Sequence, residues 1–137
     1  MALGLYLDTS AVLHATLETG TDAETEARIA NADVLVTSRL SLVEAARALI
    51  RARATGRIHE LQLADVQRRV DEVWARCHVW ELTRSVCERA ASVASTTPLR
   101  ALDAIHLATF LEARRRLGPD LDLLTSDARL KSALDLP

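Results

Sequence analysis

Cysteine is nearly absent from this chain. Cys77 and Cys87 have no companions and no zinc-type spacing, and the four histidines are scattered. Such a pattern speaks against a zinc site and for reduced, structural thiols. Aromatic residues make up only 3% of the chain while about half is apolar, so a core must be built from Leu, Ala and Val. No apolar run reaches the length of a membrane span. No basic segment followed by an apolar one and a cleavage site opens the chain, so a secretory signal is not expected. These absences point to a cytoplasmic protein, and 137 residues suit a single domain with a substantial core.

Lysine is scarcer still: of the 17 basic residues only Lys131 is not Arg. The net charge of −2 gives no wholesale attraction to nucleic acid. It hides clusters, however, at Arg47, Arg51, Arg53 and Arg57, at Arg68 and Arg69, and at Arg114 to Arg116. Arg is the better fork for phosphate. Arg68 and Arg69 read more simply as a solvated helix face with i,i+4 ion pairs.

What is present is a regular alternation without repeats or hairpin signals. Leu3-Gly4-Leu5-Tyr6-Leu7 is an unbroken apolar run ending in Asp8, Thr9 and Ser10. It reads as a strand buried on both faces, with its acid at the carboxyl end. A short helix to about Glu18 follows, then a turn at Gly20 and an acidic helix through Glu24, Glu26 and Ile29. Residues 33–38 form a second strand and residues 39–54 a helix stopped by Gly56. On that helix Leu42, Val43, Ala46, Leu49 and Ile50 make the apolar face. Residues 59–75 are a further amphipathic helix, 78–82 a third strand and 84–95 a helix of small residues. Pro98 closes a loop, a helix runs from about Leu102 to Leu117, and Gly118-Pro119 ends it. Residues 121–125 are a fourth strand, and a last short helix begins after Ser126. The expected fold is α/β, a parallel sheet with right-handed crossovers.

Four acids can reach the carboxyl edge of such a sheet, where open α/β folds bind ligands. Asp8 ends the first strand, Asp127 follows the fourth, and Asp103 opens a helix. Glu44 lies on the helix after the second strand, on a wheel opposite the apolar face, within reach of Arg47 or Arg51. Asp103 and Asp127 have a plainer role available as first-turn acids favoured by the helix dipole, and Asp8 as a helix cap. Asp122, two residues before the end of its strand, should sit farther from the edge. Two carboxylates roughly 5 Å apart repel by about 3 kcal/mol at an effective dielectric near 20. Three or four together need a cation, and oxygen-only ligands select Mg²⁺ or Mn²⁺. An ion there suits metal-assisted phosphodiester hydrolysis.

Four blocks carry a resemblance. Leu7-Asp8-Thr9-Ser10-Ala11, Ser41-Leu42-Val43-Glu44, Leu99-Arg100-Ala101-Leu102-Asp103-Ala104-Ile105-His106-Leu107-Ala108 and Leu124-Thr125-Ser126-Asp127-Ala128-Arg129-Leu130 resemble the signature blocks of PIN-domain ribonucleases. Order and spacing agree over essentially the whole of residues 1–137, and the likeness is to the VapC toxin group of toxin–antitoxin pairs. The resemblance implies a three-layer α/β/α sandwich on a parallel sheet of four to five strands. It also implies a Mg²⁺- or Mn²⁺-dependent endoribonuclease with Asp8, Glu44, Asp103 and Asp127 at the metal, a small cognate antitoxin, and a homodimer. Thr9, Ser10 and Thr125 are candidates to orient ligands or waters, with ordinary capping as the alternative. Arg100 is a candidate contact to the RNA backbone. His106, at i+3 from Asp103, is expected to pack or hydrogen-bond locally rather than bind metal. One departure is that relatives commonly add a short strand after the last helix, where this chain has Leu136-Pro137.

Rival classes fit less well. A Mg²⁺-dependent phosphoacceptor signalling domain wants adjacent acids after the first strand and a Lys late in the sheet, whereas Lys131 lies in the final helix. A haloacid-dehalogenase-like phosphatase wants Asp where Ser10 stands. A degenerate PIN fold kept as a binding module would not be expected to hold all four acids.

Overall fold

The computed structural model describes residues 3–18, 20 and 22–134. Leu136 and Pro137, and with them the question of a further strand, lie outside this range. Four strands form one sheet in the order β3-β2-β1-β4, where β1 is Gly4–Leu7, β2 Val34–Ser38, β3 Cys77–Trp80 and β4 Leu121–Leu124. Every pairing is parallel, with Tyr6 opposite Val36 and Leu123 and Leu7 opposite Leu124. The expected α/β/α sandwich on a parallel sheet is therefore present, with four strands among the described residues.

Strand alternation divides the core. Tyr6, Val36, Leu121 and Leu123 pack with Leu107, Phe110 and Ala113 of α6 (Ala101–Leu117) and with Leu130 and Ala133 of α7 (Ala128–Leu134). Leu5, Leu7, Leu35 and Leu124 pack on the other side with Ala11 and Val12 of α1 (Thr9–Thr16) and Ile29 of α2 (Ala23–Asn31). A third cluster joins α3 (Arg39–Ala54) to α4 (Glu60–Arg76) through Ala45, Leu49, Ala52, Val66 and Val70. The expected helix at 84–95 is shorter: α5 is Arg84–Ala90, and residues 91–96 are turns, with Ala94 at φ +47°. Gly118 ends α6 at φ +113°, a conformation costly for any side-chain-bearing residue.

One helix face differs from the sequence pattern. α3 buries Ser41, Ala45, Leu49 and Ala52, while Val43 is 57% and Ile50 45% exposed. Small residues and Leu49 face inward, while Val43 and Ile50 do not. Glu44, next to Ala45, thus lies at the margin of the buried face rather than opposite it.

The topology itself marks a crevice. The chain moves from β1 to β2 and β3 on one side, then places β4 on the other side of β1. Ligands bind at such a switch point, beyond the carboxyl ends of the strands.

Candidate active site

β1 and β4 deliver Asp8 and Thr125 side by side at that edge, because Leu7 and Leu124 are register partners. Asp8 is buried and caps α1, its Oδ1 accepting from the Ala11 N–H at 3.0 Å and from the Ser10 hydroxyl at 2.7 Å. Its Oδ2 accepts a short hydrogen bond from the Thr125 hydroxyl. Thr125 in turn accepts from the Asp127 N–H at 3.0 Å, and the Ser126 N–H donates to the Ser10 hydroxyl at 3.1 Å. The two loops are thereby stitched together through hydroxyls. The cap of α1 is Asp8 itself, and Ser10 and Thr125 hold its carboxylate.

Glu44 reaches the same neighbourhood from α3. The Thr9 hydroxyl donates to its Oε1 at 2.8 Å, and His106 Nε2 lies 2.6 Å from the same oxygen. The Thr37 hydroxyl sits between the Leu7 carbonyl and the Ser41 hydroxyl, at 2.7 and 2.8 Å, which ties the start of α3 to the end of β1. Burial works to raise the pKa of Glu44, but the hydrogen bond and charge of His106, with the Thr9 hydroxyl, outweigh it and hold the carboxyl below its ordinary value. The alternative of a pairing with Arg47 or Arg51 does not occur: the carboxylate turns toward His106 and Thr9. His106 is also not a local packing residue: Tyr6, 100 positions away, places its hydroxyl 2.9 Å from Nδ1. The ring is 3% exposed, and burial, helped by the charge of Asp8, pushes the Tyr6 phenol well above its ordinary pKa.

Asp103 lies in the first turn of α6 and is half-buried. Burial, and then the charge of Asp127, raise its pKa, against a smaller opposing effect from the Arg100 backbone. Asp103 and Asp127 therefore sense each other, as converging acids should. Asp127 caps the last helix, its Oδ1 accepting from the N–H groups of Arg129 and Leu130 at 2.8 and 3.4 Å. Arg100 is exposed at the N-cap of α6, and its positive charge slightly opposes the rise in the pKa of Asp103. Asp122 is excluded from the group: it pairs with Leu5 in the ladder and holds Arg28 at 2.8 Å. Arg68 and Arg69 pair with Asp65 along α4, as a solvated face should.

The donor set suits a hard divalent cation. Hydrogen bonds saturate Oε1 of Glu44 and Oδ1 of Asp127, and among the described residues the second oxygen of each has no hydrogen-bond donor. Among the described residues no three ligating side chains close into a ready cage.

The pattern of the family described as PIN domain matches residues 5–134. The chain belongs to the PIN-domain family. Ribonuclease VapC45 of Mycobacterium tuberculosis (strain CDC 1551 / Oshkosh) is 35% identical over 127 residues, covering 92% of this chain and 85% of that protein. Ribonuclease VapC49 of M. tuberculosis (strain ATCC 25618 / H37Rv) gives the same identity and coverage. Among solved structures, PAE2754 from Pyrobaculum aerophilum superposes with a TM-score of 0.66 at 21% identity, covering 97% of this chain and 87% of that one. A toxin–antitoxin complex from Klebsiella pneumoniae gives 0.60 at 19%, covering 90% and 86%. At these identities the structures speak for the fold.

Within this PIN domain the sequence pattern left Tyr6 unmarked and took His106 as local. A signal existed for both. Tyr6 is the only tyrosine and lies in a strand buried on both faces, so its hydroxyl needed a buried partner. Strand alternation directs it toward α6, which carries His106.

Proposed function

We propose that this PIN domain is an endoribonuclease that hydrolyses RNA phosphodiester bonds with Mg²⁺ or Mn²⁺ and acts as the toxin of a toxin–antitoxin pair, inhibiting translation in the cytoplasm. What supports the reading is the meeting of Asp8, Glu44 and the loop of Asp127 through Thr9, Ser10 and Thr125 at the switch point of the sheet, with the pKa of Asp103 raised by burial and by Asp127. The names of the two mycobacterial relatives support the ribonuclease part.

A bound ion would lower the pKa of the attacking water and offset charge on the leaving oxygen, giving 5′-phosphate and 3′-hydroxyl ends. Asp8 and Asp103 are its principal ligands. Glu44 and Asp127 offer the oxygens left without donors, completing the set or holding waters. Thr9 keeps the carboxylate of Glu44 in place, and Ser10 and Thr125 that of Asp8, through the bonds described above. Arg100, exposed beside Asp103, meets the RNA backbone. The antitoxin lays a short, partly disordered segment along the acidic groove and orders as it binds, with Arg or Lys reaching the carboxylates. The toxin itself assembles as a homodimer.

Incubation with total cellular RNA and Mg²⁺ or Mn²⁺, with new 5′ ends mapped against an Asp103→Asn control, tests the reading. Discrete 5′-phosphate ends made by wild type, and reduced by orders of magnitude in the control, are expected. Equal cleavage by both proteins would remove Asp103 from the chemistry. Cleavage undiminished by a saturating amount of the product of an adjacent short reading frame would refute its pairing as antitoxin.

A further inference from the structure

His106 is the one buried imidazole with both ring nitrogens engaged by distant side chains among the described residues, and neither partner is a neighbour in sequence. Glu44, when ionised, only accepts hydrogen bonds, so Nε2 must be the donating atom of the 2.6 Å contact. The Tyr6 hydroxyl occupies Nδ1 at 2.9 Å, and the Tyr6 and His106 rings meet edge-on at 6.1 Å between centroids. The imidazole is thus held at both ends and cannot turn without breaking a buried bond. On the other side Thr9 donates to the oxygen His106 uses, so both donors fall on Oε1.

We propose that His106 is a positioning residue for Glu44: its Nε2–H, braced by Tyr6 at Nδ1, fixes Oε1 and leaves Oε2 as the carboxylate's ligand atom. The inference rests on the reading of Glu44 as part of the metal site. It goes beyond that reading by assigning a role to a buried pair, Tyr6 and His106, that lies outside the acid set. Outer partners of metal-binding groups act this way, and their removal weakens metal binding about 10- to 100-fold.

Titration calorimetry with Mn²⁺ alone, on folded variants checked by melting in EDTA, tests it without RNA. His106→Leu keeps apolar bulk and removes the donor, so Mn²⁺ binding should weaken about 10- to 100-fold. His106→Gln offers an amide N–H near the Nε2 position and should stay within a few-fold of wild type. The double variant Glu44→Gln/His106→Leu should bind no more weakly than Glu44→Gln alone, within about twofold. Wild-type affinity in Glu44→Gln would remove Glu44 from the site and sink the underlying reading. Weakened binding in Glu44→Gln, with His106→Leu unchanged or with full additivity in the double variant, would overturn the positioning role alone. Nitrogen NMR of wild-type protein labelled in its imidazoles covers the case in which His106→Leu does not fold. It should show a proton on His106 Nε2, and an unprotonated Nε2 would overturn the proposal.

Discussion

Asp103 is held where its charge is resisted, by burial first and by Asp127 second, and its pKa is raised accordingly. A carboxyl whose folded pKa exceeds its unfolded one favours the native state at low pH. That contribution is complete below the ordinary carboxylate pKa and is lost as pH rises through the folded value. Asp103→Asn removes the penalty, so in EDTA at neutral pH it should melt no lower than wild type. Its advantage should shrink as the pH falls into the carboxylate range, where wild type takes up the proton. Glu44 has the opposite sign: its lowered pKa stabilises the fold above the ordinary carboxylate value and ceases to do so as the pH falls through the folded one. Glu44→Gln should therefore melt below wild type at neutral pH and converge with it in acid. Paired melting curves across pH check both. An Asp103→Asn protein destabilised at every pH would instead mark Asp103 as a helix-capping acid. Both signs come from neighbours remote in sequence, which is why charge patterning along the chain did not reveal them.

At the scale of elements, legibility followed apolar contrast. Buried parallel strands are runs of Leu and Val, and Asp33 to Ser38 or Leu121 to Thr125 can hardly be anything else. The inward face of α3 was legible only at Leu49, because Ser41, Ala45 and Ala52 have little hydropathy yet are buried. Ala45 is fully buried, whereas Val43 is more than half exposed. Ala45→Leu should overpack this face and cost about 1–3 kcal/mol, while Val43→Ser should stay within about 0.5 kcal/mol of wild type. Urea titration separates the two, and the reverse order would restore the apolar face read from the sequence. Loop stitching is a second element-scale device. Thr125→Val removes the hydroxyl that meets Asp8 Oδ2 and should cost about 1–3 kcal/mol by leaving a buried carboxylate oxygen without its donor. Asp8, Asp103 and Asp127 stood out because each sits beside a strand end or helix start, and Glu44 because it follows the second strand; the hydroxyls at positions 9, 10 and 125, read as caps or as orienting groups, hydrogen-bond Glu44 and Asp8.

At the scale of the whole molecule, the proposed site gathers carboxylates at one edge of the sheet, while Asp122 is neutralised by Arg28 away from it. On that proposal, a divalent ion should raise the stability of the whole molecule. Mn²⁺ that binds only the native state stabilises it by about 2.7 kcal/mol at a hundredfold excess over its dissociation constant. For a domain of this size the melting temperature should rise by about 5 to 10 °C. Asp103→Asn should start as high in EDTA but rise much less, since a ligand has gone and the repulsion with it. Asp122→Asn serves as the contrast: it loses an exposed ion pair worth at most about 1 kcal/mol and should keep the full response to Mn²⁺. Scattered capping acids would behave otherwise, with no response in any of the three proteins and a modest loss on removing each favourable charge. A wild-type melting curve indifferent to saturating Mn²⁺ would thus refute the metal site while leaving the PIN fold untouched.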